Sequence, residues 1–339
     1  MKYWYIFPVV VLLSLFLTAL LRRYALHRSI IDVPNARSSH SVPTPRGGGV
    51  AIVLSFLLCL VFMANLELQP LAQIVAMIGS GALIAVIGFM DDHGHIAARW
   101  RLLGHFLAAA WVIFWMGGLP ALIFFGFTID LGWFGSALAA IYLVWMLNLY
   151  NFMDGIDGLA SLEAICACIG LSVSYYLSGQ ESLMWAPLML TMTVTGFLYW
   201  NFPPARIFMG DAGSGFLGII LGALSVQAAW AGSEFFFAWL IMLGVFVVDA
   251  TFTLIRRLVR GDKVYEAHRS HGYQYASRQF GKHLPVTVAV SLINLLWLLP
   301  ISLGVTLLQL DGATGLVIAY VPLVLLAVKF KAGSLEKAV

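Results

Sequence analysis

The chain has 339 residues, of which 61% are hydrophobic and 10% charged. Soluble domains carry about 25% charged residues, so a water-soluble enzyme, a disordered chain and a disulfide scaffold are all excluded. The net charge of +3 reflects a one-sided placement of basic residues and is no argument for nucleic acid.

A spanning helix needs about 20 mostly apolar residues. Eleven such runs are readable, near 3–21, 48–66, 71–90, 102–119, 132–149, 159–177, 184–200, 214–230, 235–256, 285–304 and 314–330. They are continuous rather than alternating, which selects helices over barrel strands. The expected fold is an all-α integral membrane protein, a polytopic bundle of about 11 transmembrane helices forming a single domain over 1–339. The first run lacks a small-residue cleavage site and carries its charge behind it, at Arg22 and Arg23, so it reads as a span rather than a signal peptide. Cys59, Cys166 and Cys168 fall inside apolar runs and read as small buried hydrophobes.

Alternating the connecting segments sorts the charges. Of 19 Lys and Arg, 18 fall on one face and only Lys2 on the other. The positive-inside rule makes that face cytoplasmic, with the N-terminus periplasmic and the C-terminus cytoplasmic. The opposite loops are short and hold one acid each: Glu67, Asp130, Glu181, Glu234 and Asp311. Almost every polar cluster lies on the basic face, so an active site is expected there.

In chain order, the first cluster is Arg37-Ser-Ser-His40-Ser-Val-Pro-Thr-Pro-Arg46-Gly-Gly-Gly49. Its glycines suit a phosphate-facing turn, although it does not match the Walker pattern. Asp91 and Asp92 then end the third run, where a helix C-terminus disfavours negative charge and neighbouring carboxylates repel. A solvated helix end is one reading; a metal or general-base role fits the cost better. Arg99 and Arg101 follow, placed to meet anionic groups near the carboxylates.

Asn148-Leu-Tyr-Asn151-Phe-Met-Asp154-Gly-Ile-Asp157-Gly158 links the fifth and sixth runs. A capped turn explains it nearly as well as function does, but the density of carboxyl and amide oxygens suits magnesium. Asn201-Phe-Pro-Pro-Ala-Arg-Ile-Phe208-Met-Gly-Asp211 opens the eighth run. Here Asp211 is either an N-cap or a ligand, and Phe208 either an interfacial aromatic or a platform for a base. Asp249 lies inside the ninth run, as a functional group or as half of a salt bridge. Glu266-Ala-His268-Arg269-Ser-His271 allows zinc, but nothing closes a tetrahedral site. It better suits a cluster gripping a diphosphate, or a loop touching anionic lipid.

Together PTPRGGG, the Asp pair after GFM, NFMDGIDGLA, FPPARIFMGDAGS and AHRSHGYQ resemble the polyprenyl-phosphate N-acetylhexosamine-1-phosphate transferases of glycosyltransferase family 4. The motifs run in family order from about residue 32 to 275. The resemblance implies transfer of a sugar-1-phosphate from a UDP-N-acetylhexosamine to undecaprenyl phosphate with release of UMP, in the bacterial inner membrane. The implied cofactor is Mg²⁺, with Mn²⁺ as an alternative, and a homodimer is compatible with it. Asp91 and Asp92 match the catalytic pair, and Asp211 and Asn151 the metal site. Asp154, Asp157, Asn201, Phe208, Arg46, Arg99, Arg101, His268, Arg269 and His271 fall at substrate-binding positions, Arg99 where relatives often have lysine. His268-Arg-Ser-His271 replaces the triple histidine of the peptidoglycan branch, which resembles the branch that starts O-antigen and related surface polysaccharides. A lipid-linked-sugar flippase is the rival reading. It would require polar residues at mid-membrane depth and polar loops on both faces.

Overall fold

The computed structural model describes residues 3–34, 40, 42–94, 96–263 and 268–335. Each of the eleven apolar runs is helical, because a backbone surrounded by lipid must satisfy its own N–H and C=O groups. Helix α1 (Ile6–His27) leads to a two-residue ladder of β1 (Ile31–Asp32) with β2 (Thr44–Pro45). Then come α2 (Val50–Asn65), α3 (Leu71–His93) and α4 (Ala98–Met116). A short hairpin of β3 (Leu122–Phe124) and β4 (Phe127–Ile129) precedes α5 (Gly132–Met153), α6 (Leu159–Leu177), α7 (Glu181–Asn201) and α8 (Asp211–Ala229). The chain continues through α9 (Ser233–Met242), α10 (Gly244–Arg260), α11 (Gly272–Phe280), α12 (Leu284–Ile293), a π-turn at Asn294–Leu298, α13 (Leu299–Leu307) and α14 (Gly312–Lys329).

The number of spans departs from the expected eleven. Among the described residues, eight helices are long and apolar enough to cross a membrane, counting Leu284–Leu307 as one. A ninth requires α9 and α10 to be joined across a 71° bend. Helix α2 is short because Gly47, Gly48 and Gly49 are drawn into loop contacts, and the first turn of α4 is polar with Arg99 and Arg101. Beyond the bend, Asp249 of α10 meets backbone donors at the start of α11, which offset the cost of an ionisable group in an apolar helix pair. The π-turn lies just ahead of Pro300, and its Asn294, fully buried, donates to Glu163 Oε2 at 2.5 Å. That bond pairs one atom of each of two buried polar side chains.

Helix α8 forms the axis of the bundle, with every residue from Ala212 to Ala229 buried. It is apolar on all sides, as a helix enclosed by other helices must be. Small residues let its neighbours approach: a Cβ on Gly218 would stand 2.6 Å from Leu147 Cα of α5. Such backbone contact replaces the hydrophobic effect as the glue between helices in lipid.

Candidate active site

At the end of the bundle that carries the basic loops lies a cavity of about 650 Å³. Its floor is the start of α8. Gly88 of α3 passes so close over that start that a Cβ there would stand 2.6 Å from the Ala212 nitrogen. One turn further along α3, Asp92 therefore reaches the helix: its Oδ1 accepts from the Asp211 N–H at 3.3 Å and its Oδ2 from the Ala212 N–H at 3.4 Å. Gly210 combines a φ of +78° with an Asp92 Oδ2 that would stand 2.7 Å from any Cβ. Only glycine meets both demands.

This geometry separates the three aspartates. Asp92 caps α8 from a different helix, whereas Asp211 is the first residue of α8 and is not needed as its cap. The N-cap reading of Asp211 is thereby removed. Asp91 accepts from the Ile96 N–H at 3.0 Å, pairs with Arg101, and has the Asp211 carboxyl as a close neighbour. Two carboxyl groups in contact need a proton or a cation between them. Arg46 donates to the Asp92 carbonyl from the opposite wall.

Loop 45–49 is held by backbone pairing with the segment before α8. Pro45 O accepts from Phe208 N–H at 2.8 Å, and Gly48 and Gly49 donate to Phe208 O and Met209 O at 2.9 Å each. Phe208 is thereby fixed in the cavity wall, with the His40 ring 4.8 Å away, edge to face.

The turn after α5 supplies Asn151, Asp154 and Asp157 to the same cavity. Asn151 Oδ1 accepts from Ser214 Oγ at 3.0 Å, which ties it to the first turn of α8. Burial, together with Asp211, Asp92 and Asp157 nearby, pushes the Asp154 carboxyl well above the usual carboxylate range. Asp157 is engaged by the Ala205 N–H at 3.0 Å and by His283 Nδ1 at 3.0 Å. Asn201 accepts from Gly158 N–H at 3.0 Å and donates to Ile207 O at 3.0 Å. Asp157 and Asn201 line the cavity, yet their polar atoms are largely committed to holding its walls.

The loop before α11 brings His268 and His271 to the lining. Asp249 organises it, accepting from Gly272 and Tyr273 N–H at 2.9 Å each, with His271 Nδ1 at 3.4 Å. The partner left open for Asp249 is thus His271 and the α11 N-terminus. Asp249→Asn keeps the volume but turns an amide N–H toward one of those donors. It should cost about 1.5–3 kcal/mol, read as a lower thermal midpoint in detergent. An unchanged midpoint would count against this role.

His268 behaves differently from a basic group. Burial, then His271 and Arg257, push it from 6.5 down to about 3. It is neutral at pH 7, and its Nδ1 faces the Ser270 hydroxyl at 2.9 Å. Above pH 6.5 neither the folded nor the unfolded chain protonates it. Between 6.5 and 3 only the unfolded chain takes up the proton, so stability falls as pH falls. His268→Gln should flatten the acid side of a midpoint-against-pH profile and leave pH 7.5 to 8.5 unaltered; an unchanged acid limb would refute this.

Two expected contacts are corrected. Arg99 is exposed, lies 5.6 Å over the Trp100 ring and does not line the cavity. Arg269 is also absent from the lining; its carbonyl accepts from Arg278. Closeness in sequence to the carboxylates put Arg99 near the site and the His-Arg-Ser-His motif put Arg269 there, but side-chain direction decides contact. Asp32, His105, Asn148, Tyr273, Gln274 and His283 line the cavity without having been singled out as site residues. Asn148, Tyr273 and Gln274 belong to the polar motifs of the sequence. His283 had no local signal, since its partner Asp157 is distant in sequence. Glu266, weighed for zinc, lies outside the described residues.

Among the described residues, no three His, Cys, Asp or Glu side chains are placed to share one metal ion. Magnesium does not require that. It usually takes one or two carboxylates, several waters and substrate phosphates. The carboxyl pair Asp91–Asp211 and the Asn151 amide oxygen form an all-oxygen donor set that fits such an ion.

The glycosyl transferase family 4 model matches residues 73–229. The chain is 29% identical over 271 residues to a probable undecaprenyl-phosphate N-acetylglucosaminyl 1-phosphate transferase of Bacillus subtilis, covering 78% of this chain and 74% of the relative. It is 29% identical to an undecaprenyl-phosphate alpha-N-acetylglucosaminyl 1-phosphate transferase of Thermotoga maritima, with 85% and 87% covered. A decaprenyl-phosphate N-acetylglucosaminephosphotransferase of Mycolicibacterium smegmatis is 30% identical over 298 residues, with 76% and 72% covered. The chain belongs to glycosyl transferase family 4. The matched stretch of this family 4 chain runs from α3 to α8 and so contains all three aspartates and the Asn151 turn.

Proposed function

We propose that the protein transfers an N-acetylhexosamine 1-phosphate from a UDP-sugar to undecaprenyl phosphate, releasing UMP. The observation that carries this reading is the contact between the Asp91 and Asp211 carboxyls beside Arg101, at a helix start whose first N–H groups are already capped by Asp92. That arrangement fits a cation and a diphosphate better than a free anion. The relatives named for N-acetylglucosaminyl 1-phosphate transfer support it.

In this reading Asp211 and Asn151 would hold Mg²⁺, which would supply charge stabilisation to the diphosphate. Arg46 and Arg101 flank the same diphosphate. Phe208 supplies a flat face for the uracil. A phosphate oxygen of the acceptor attacks the phosphorus that bears the sugar, the bond to UMP breaks, and the lipid diphosphate sugar forms. The acceptor is already mostly ionised, since the second pKa of a phosphate monoester is about 6. The base has only the last proton to take, and Asp91 is the candidate, because the Asp92 carboxylate caps the backbone of α8, whereas Asp91, which accepts from Ile96 N–H and pairs with the Arg101 side chain, stands beside Asp211. By the positive-inside rule the cavity opens to the cytoplasm of a bacterial inner membrane, where the product would begin O-antigen or a related surface polysaccharide.

The test uses purified full-length protein in lipid discs with undecaprenyl phosphate and labelled UDP-GlcNAc, UDP-GalNAc and other UDP-N-acetyl sugars. UMP and a labelled lipid diphosphate should appear in equal amounts with Mg²⁺ and stop on chelation. If no sugar in the panel yields UMP, the transferase reading fails. Movement of a preformed lipid-linked sugar in that case would favour the flippase.

A further inference from the structure

Outside the cavity, on the same end of the bundle, two arginines from distant segments close on one indole. The Arg22 guanidinium at the end of α1 lies 5.8 Å over the Trp200 ring, and that of Arg206 lies 4.6 Å over Trp200 and 4.6 Å over Tyr199. Both are held in place: Arg22 Nε donates to Arg206 O at 3.1 Å, and an Arg206 terminal nitrogen donates to Tyr199 O at 2.7 Å. Trp200 is itself anchored through its indole N–H to Leu15 O at 3.1 Å. Among the described residues neither guanidinium pairs with a carboxylate, whereas Arg101, Arg257 and Arg260 each do.

Two like charges fixed against one ring, with most of their N–H donors open, call for an anion with several acceptor oxygens. Helix α1 is largely unburied and so faces lipid, and the exposed Tyr24 and Tyr199 mark a membrane interface. The anion at that depth is a lipid phosphate. We propose that Arg22 and Arg206 form a headgroup site for an anionic phospholipid, distinct from the cavity. Arg206 also donates its backbone N–H to Trp200 O at 2.8 Å and follows Ala205, which donates to Asp157. A headgroup held there braces the loop 202–210 that carries Phe208.

The test is lipid retention by native mass spectrometry of the full chain in neutral detergent, with phosphatidylglycerol, phosphatidylcholine and undecaprenyl phosphate as probes. Wild type should retain phosphatidylglycerol over phosphatidylcholine. Arg22→Gln and Arg206→Gln should each bind it about fivefold more weakly, following the contribution of one basic residue at an anionic surface. Arg23→Gln, on the same helix but outside the pair, should match wild type. Phosphatidylglycerol should also slow amide exchange over 202–208 in wild type and not in the double variant. Equal loss in Arg23→Gln would show diffuse attraction and overturn the site. Displacement by equimolar undecaprenyl phosphate would assign the arginines to the acceptor and overturn the phospholipid. Should the variants fail to fold, wild type showing no preference for phosphatidylglycerol would do the same. None of these readouts depends on the transferase reading.

Discussion

Asp211→Asn should reduce turnover at millimolar Mg²⁺ by about 10³-fold or more while the protein remains inserted and melts normally. The size follows from losing one preorganised charge-stabilising group at a diphosphate, which typically costs 10²- to 10³-fold, together with weaker metal binding. The neutral thermal effect follows from the structure. The cap of α8 comes from Asp92, and the Asp211 carboxyl meets another acid rather than a backbone donor. Removing that like charge relieves repulsion. Turnover within a few-fold of wild type, with the same Mg²⁺ dependence, would reject Asp211 as the ligand.

The second large effect divides the neighbouring aspartates. Asp91→Asn should lower kcat by about 10²- to 10⁴-fold and leave the KM for the UDP-sugar within a few-fold, since a general base contributes in the transition state and not in donor binding. Asp92→Asn should behave as a structural lesion. Its amide can still accept one of the two N–H bonds, so the thermal midpoint falls and activity drops less than for Asp91→Asn. If Asp92→Asn is the inactive, stable variant and Asp91→Asn the unstable one, the roles are reversed. Wild type given UDP-sugar without acceptor should release no stoichiometric burst of UMP. A burst of about one UMP per enzyme would mean that an aspartate becomes phosphorylated before transfer.

The helices were readable because lipid leaves a long apolar run little choice but to coil. Likewise Asp91, Asp92, Asp154, Asp157 and Asp211 stood out, since ionisable groups are scarce in such a chain, and all five line one cavity. What was not readable is which atom each side chain serves. Asp92 acts on a helix start 119 positions away, and no local pattern encodes that bond. Asn201 looks like a substrate contact by motif, yet both ends of its amide hold backbone. Arg99 and Arg101 share a helix turn, and only the angle between them decides that one reaches Asp91 while the other lies on Trp100. The bend at Leu243 lacks a proline signal, and the donors that Asp249 meets beyond it lie on α11, distant in sequence.

The pairing of residues 45–49 with 208 and 209 bears on how the molecule is made. Beyond the local ladder of β1 with β2, the partners of Pro45 O and of the Gly48 and Gly49 N–H groups are synthesised only more than 150 residues later. The cavity therefore cannot take shape helix by helix as the chain is inserted. It forms in a later docking stage, when spans already placed in the bilayer close around α8. A chain cut before α8 would hold Asp91, Asp92 and Asn151 but not the helix start that they face. That late step, rather than insertion itself, is where Gly48, Gly49 and loop 202–210 come together.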